Sequence, residues 1–275
     1  MSTIILNYLT MKATGVLDKM KTSFINPVQY FLKLGDDSVA VNDLVGRSIS
    51  LRWTGSIYCT VCGKRTAKSF GEGMCYPCFA NAPENAECIL RPELCEAHLG
   101  KGRNPEWEQK NHLQTHYVYL ALTNALKVGV TRLDQIPTRW IDQGAHKGII
   151  LAETPYRQLA GFIEVVLKDY LSDKTNWQKM LKNEPYTGAD LLNEKKRVIG
   201  LLPEHFRQHQ SANDEIVELI YPVIEYPQKV SSLSFEKMPS IDMKLIGIRG
   251  QYFMFENGYV INIRSKSGYE VELEF

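Results

Sequence analysis

The chain has 275 residues, 44% hydrophobic and 23% charged, with a formal net charge of +1. That composition excludes a disordered, collagen-like or polycationic chain, so any nucleic-acid partner must be met by a local basic surface. No apolar run approaches the ~18 residues of a membrane span, and the opening MSTIILNYLTMKATGVLDKM lacks the basic start and cleavage site of an export signal; a cytoplasmic chain without a membrane partner is expected.

Residues 1–58 read as an N-terminal β segment. Alternation over 27–34 and 48–53 predicts strands, with turn chemistry at Gly35-Asp36-Asp37 and Gly46-Arg47. Residues 59–112 form a cysteine-bearing region, irregular after residue 80 and with a short helix expected over 106–114. Residues 113–213 read as an α/β unit. Strands 117–122 and 126–130 make a hairpin, and a helix containing Arg139, Trp140 and Ile141 starts near Pro137. Leu159, Phe162, Ile163, Val166, Leu167 and Tyr170 recur at helical spacing. Further helices are expected around Trp177 and over 190–202. Residues 214–275 return to β, with an Asn257-Gly258 hairpin signal. The expected class is α+β: a small β-barrel or sandwich built from both chain ends, a four-cysteine knuckle and an α/β centre. Two separate small β units are the alternative.

Cys59, Cys62, Cys75 and Cys78 give C-x2-C-x12-C-x2-C. In a reducing compartment this spacing reads as a ribbon-like zinc site rather than as disulfides, because each C-x2-C turn offers two thiolates at the bite of a tetrahedral ion. Four thiolates leave no open position, so the zinc is expected to be structural. Cys88, Cys95 and His98 suggest a second zinc, with His112 or His116 as its fourth ligand; two buried cysteines beside a surface histidine is the alternative. Arg52, Lys64, Arg65 and Lys68 with Tyr58, Phe70, Tyr76 and Phe79 could present a basic, aromatic surface to RNA, or the rings could be the knuckle's own core.

Tyr117-Val118-Tyr119, Lys127-Val128-Gly129, Arg139, Glu164 and Asn176 follow one another at the spacing of a GIY-YIG nuclease domain, and residues 116–181 resemble that superfamily. The resemblance implies a strand pair carrying the two motifs, a helical Arg that stabilises phosphate charge, and a Glu that holds one divalent cation. By it, Tyr119, Arg139 and Glu164 are the candidate catalytic residues, with Mg2+ or Mn2+ required only if the domain cleaves. Two departures stand out: Tyr117 replaces the first glycine and Lys127 replaces the second motif's tyrosine. Lysine is a poor near-neutral base but contacts phosphate well. The substitution therefore favours binding over cleavage, with Lys127, Arg132, Arg139, Trp140, Gln143 and Asn176 as the nucleic-acid-binding set. The Arg139–Gly144 run can also be read as a helix turn with a buried Trp and a local ion pair.

Lys127-Val128-Gly129-Val130-Thr131-Arg132, Arg139-Trp140-Ile141-Asp142-Gln143-Gly144-Ala145, Lys174-Thr175-Asn176-Trp177, Arg91-Pro92-Glu93-Leu94-Cys95 and the knuckle are also similar to an uncharacterised bacterial zinc-knuckle family, which implies no activity. The combined expectation is a zinc protein that binds RNA or DNA. The alternatives are a metal-dependent endonuclease and a protein-interaction module with a protein partner.

Overall fold

The structure, a computed structural model, describes residues 11–171, 176–184, 186 and 190–275. The first ten residues of the N-terminal segment, and Lys174 and Thr175 of the Lys-Thr-Asn-Trp motif, lie outside the described residues.

The first segment supplies β1 (Lys12–Val16), β2 (Lys21–Ser23), β3 (Gln29–Leu34), β4 (Asp37–Ala40) and β5 (Ser48–Ile57). The centre supplies β6 (His116–Leu122), β7 (Leu126–Arg132) and β8 (Lys147–Thr154). The last part supplies β9 (Val217–Glu218), β10 (Ser231–Ser232), β11 (Ser240–Arg249), β12 (Tyr252–Phe255), β13 (Tyr259–Asn262) and β14 (Tyr269–Glu274).

Both chain ends meet in one seven-stranded sheet of order β1-β14-β5-β11-β12-β13-β10. β14 lies antiparallel between β1 and β5, so Leu273 sits opposite Ala13 on one side and Leu51 on the other. The period-2 pattern of β14 turns Tyr269, Val271 and Leu273 inward. A three-stranded sheet, β2-β3-β4, adds Tyr30, Leu32 and Leu34 to the same core. The expected joining of the ends is present, but no closed barrel forms among the described residues: β1 and β10 remain as edges. The turn from β12 to β13 carries Asn257 at φ 59° and Gly258 at φ 76°. A Cβ at Gly258 would fall 2.0 Å from the Lys229 carbonyl oxygen, so both the backbone angle and the space require glycine there.

The cysteine-bearing region contains α1 (Tyr76–Asn81), α2 (Glu87–Leu90) and α3 (Pro105–His112), and the centre contains α4 (Thr138–Asp142), α5 (Arg157–Lys168), α6 (Trp177–Leu181), α7 (Leu191–Leu201) and α8 (Glu204–Arg207). Asn104, Asn176 and Asp190 cap α3, α6 and α7 by accepting from backbone amides of the first turn. No helix among the described residues is long and apolar enough to cross a membrane.

The central sheet has the order β7-β6-β8-β9 and is antiparallel throughout. One face (Val118, Leu120, Val128, Ile149, Leu151) packs on Ala160, Ile163 and Leu167 of α5 and Val198 and Ile199 of α7. The other face (Tyr119, Ala121, Ile150), with Trp140 and Ile141 of α4, joins the core of the terminal β sheets. The centre and the two ends therefore share one hydrophobic core, and β9, from the C-terminal segment, completes the central sheet.

Candidate functional site

β6 and β7 run antiparallel with Tyr119 directly opposite Gly129. A Cβ at residue 129 would lie 2.4 Å from Tyr119 Oη, so the glycine lets the tyrosine ring lie across the hairpin. On its other side β6 pairs with β8 through a register shift between Val118 and Tyr119, an irregularity of the kind that re-aims a side chain. Gly148 performs the same service for Trp140, whose ring would collide with any Cβ at that position.

Tyr119 is fully buried, and its Oη is 2.9 Å from Gln143 Nε2, which donates, and 3.2 Å from Gln143 Oε1. Burial pushes the phenol up from its ordinary range, against the pull of Arg139. Burial alone would lower the Arg139 guanidinium, but its interaction with Tyr119 and the nearby carboxylates of Asp142 and Glu72 outweigh it and hold Arg139 firmly cationic.

Tyr119, Arg139 and Gln143 line a cavity of about 170 Å³ with Lys127, Gly129, Arg157, Glu164, Lys168 and the Ile89–Pro92 segment. Glu164 is buried at 8% exposure and sits 3.3 Å from Lys168, one helical turn away. Burial raises its carboxyl, and Lys168 and Arg157 offset part of that rise. The ion-pair partner of Glu164 thus lies on its own helix. Arg157 donates from Nε to the Cys88 carbonyl at 3.1 Å and from Nη2 to the Ile89 carbonyl at 2.9 Å. Burial lowers the Arg157 guanidinium, nearby negative groups oppose this, and the Arg139 charge adds to it.

The structure thus brings Tyr119, Lys127, Arg139, Gln143 and Glu164 to one cavity and keeps three other candidates away from it. Trp140 is 1% exposed and edge-on to Tyr119 at 6.0 Å, so no base can stack on it. Arg132 holds Asn111 Oδ1 at 2.6 Å and Asp134 at 3.3 Å. Asn176 is spent capping α6. Arg157 and Lys168 are cavity residues that sequence reasoning missed; their only signal was a charge at each end of the α5 pattern.

The four knuckle cysteines come together, their sulfurs all within 4.8 Å of one another. The Cys62 and Cys75 sulfurs are 3.8 Å apart, as two thiolates on one tetrahedral zinc would be at Zn–S distances of about 2.3 Å. Cys75 stands just before α1 and Cys78 within it. Burial alone would raise the Cys59 thiol; amides of Cys75, Cys62 and Val61 outweigh it and bring the pKa down to about 6. Such donors stabilise the thiolate that a metal needs. Phe70 packs on Phe79 at 5.8 Å and on Tyr76 at 5.5 Å, so these rings build a small local core from which Tyr76 remains exposed.

Cys88, Cys95 and His112 form a second group of ligand atoms within 4.8 Å of one another, all three residues buried. His98 is not in it, which corrects the sequence expectation: its ring stacks on Tyr156 at 4.5 Å.

No curated protein and no solved structure matches the chain. Residues 46–271, spanning the knuckle, the cavity and most of the terminal sheet, match the family described as Protein of unknown function (DUF2797), and the chain belongs to that family.

Proposed function

We propose that the cavity binds a phosphodiester group and that the protein is a zinc-containing nucleic-acid-binding protein. The observation that carries this reading is charge: Lys127, Arg139, Arg157 and Lys168 line one cavity in which Glu164 is the only carboxylate among the described residues. An excess of cationic over anionic side chains in a partly desolvated site favours a bound anion. A cavity of about 170 Å³ is below the size of a typical small-molecule pocket, which suits one phosphate of a longer strand better than a whole nucleotide. Arg139, oriented through Tyr119 and Gln143, offers a planar fork; Lys127 offers a point charge. The knuckle cysteines would hold a structural zinc.

A second reading, metal-dependent endonuclease, is favoured by the gathering of Tyr119, Arg139 and Glu164 on elements in the order the GIY-YIG resemblance implies: hairpin, Arg helix, later Glu helix. Three features weigh toward binding instead. The Tyr119 phenol is pushed up by burial, a lysine stands at the second motif, and Glu164 is paired with Lys168. The test is a titration of fluorescent single-stranded and duplex RNA and DNA at low salt, with and without Mg2+ or Mn2+. The expected result is salt-sensitive binding with intact oligonucleotide. Divalent-dependent cleavage lost in Glu164→Gln would establish the nuclease reading, and failure to bind any of the four would leave the interaction module.

A further inference from the structure

We propose that Cys88, Cys95, His112 and His116 form a second, closed zinc site, with His116 in the place the sequence suggested for His98, and that this metal fixes the Ile89–Pro92 wall of the cavity. The site stands independently of what the cavity binds; only its effect on affinity rests on the reading above.

Three ligands are already gathered. Cys95 Sγ is 3.4 Å from His112 Nδ1. A sulfur and an imidazole nitrogen on one tetrahedral zinc are about 3.5 Å apart, from Zn–S near 2.3 Å and Zn–N near 2.0 Å. Cys88, Cys95 and His112 are 7%, 2% and 3% exposed, so a metal there would be shielded.

His116 is the natural fourth. It begins β6, four residues after His112 ends α3, an H-x3-H spacing. The residue is fully buried and its Nδ1 is 2.7 Å from the Gln114 carbonyl oxygen. A carbonyl can only accept, so Nδ1 carries the proton and Nε2 is left with its lone pair. That Nε2 is buried with no hydrogen-bond partner among the described residues. An orphaned imidazole nitrogen is costly, and a ligating histidine commonly shows this arrangement: one nitrogen on a backbone carbonyl, the other on a metal. The His112 and His116 rings are 6.5 Å apart. Two imidazoles on one tetrahedral zinc have ring centres about 5 Å apart, so a closure of roughly 1.5 Å by small side-chain rotations completes the site. Glu108, also buried, is already occupied: its Oε1 accepts from the Arg103 amide at 2.7 Å.

The surroundings need such a tie. Between Pro83 and Leu99 the chain forms only three- and four-residue helical turns. The local cluster consists of Ala86, Cys88, Cys95 and Ala97 with Ile89 against it. Turns this short with so little apolar area do not hold their shape alone. Yet this segment is a wall of the cavity. Ile89, Leu90 and Pro92 line it, Arg157 grips the Cys88 and Ile89 carbonyls, and α5 lies so close that a Cβ at Gly161 would fall 2.2 Å from the Glu93 nitrogen.

The test is metal analysis of the purified full chain with X-ray absorption at the zinc edge. The expected content is about two zinc equivalents per chain, with an average shell of about three sulfurs and one nitrogen per zinc. His116→Ala and Cys95→Ser should each leave about one equivalent and an all-sulfur shell, while His98→Ala keeps both. Should the variants misfold, the wild-type stoichiometry and shell still decide. One zinc in a folded chain overturns the second site, and two zincs retained in His116→Ala overturn His116 as its ligand. Oligonucleotide affinity lower in His116→Ala than in wild type supports the link to the cavity wall; unchanged affinity in a variant that has lost one zinc overturns that link and leaves the metal site intact.

Discussion

Tyr119 and Gly129 face each other across the β6–β7 hairpin, and the space a Cβ would take at residue 129 is filled by the tyrosine's hydroxyl end. Gly129→Ala must therefore move the ring or the backbone. A cost of about 1–3 kcal/mol is expected for such overpacking, together with loss of the Tyr119–Gln143 hydrogen bonds. Chemical denaturation checks the first part. Tyr119→Phe is the companion: it keeps the ring, leaves Gln143 without its partner, and should cost about 1 kcal/mol and weaken oligonucleotide binding, because Arg139 loses a group that orients it.

Cys75→Ser should remove about one zinc equivalent and loosen the knuckle, since metal binding and folding are coupled in so small a unit. The rest of the chain should stay folded, because the knuckle's cluster of Cys59, Met74 and Ala82 is separate from the main core. Mass spectrometry under native conditions and far-UV circular dichroism together check both halves. A folded wild type carrying no zinc would end the metal claim for these cysteines.

Glu164 carries a pH prediction. Its carboxyl is raised, mainly by burial, so the folded chain holds that proton to higher pH than the unfolded chain does. The stability it contributes is fully present below the unfolded carboxylate pKa and is lost as pH rises through the folded value. Near neutrality the wild type bears the whole penalty, and Glu164→Gln, which never ionises, does not. The variant should therefore gain stability relative to wild type as pH rises from acid to neutral. Urea midpoints at several pH values test this, and a variant that loses stability relative to wild type as pH rises would contradict the placement.

The parts legible in sequence were those encoded locally. The paired C-x2-C turns announced the knuckle through spacing alone, and Asn257-Gly258 marked its turn because few other residues take positive φ there. β8 was not foreseen. Lys147–Thr154 is buried along nearly its whole length, so it shows a continuous apolar run in place of strand alternation. The pairing of β1 with β14 joins residues from opposite ends of the chain, which no local pattern reports. His98 was a natural guess beside Cys95 in sequence, yet folding turns it toward Tyr156 and leaves His116 beside His112. Arg157 and Lys168 were hidden because a charge on an amphipathic helix looks the same whether it faces solvent or a cavity.

The most direct measurement is the dependence of oligonucleotide affinity on salt, compared between wild type and Lys127→Ala/Arg139→Ala. Each phosphate that the protein neutralises contributes roughly one unit to the slope of log K against log salt. If both residues meet the one phosphate in the cavity, the double variant should bind more weakly and its slope should be shallower by about one, with the zinc content unchanged. Asn176→Ala, at the exposed start of α6, should leave slope and affinity as they are. A double variant that binds with the wild-type slope would contradict a phosphate in this cavity.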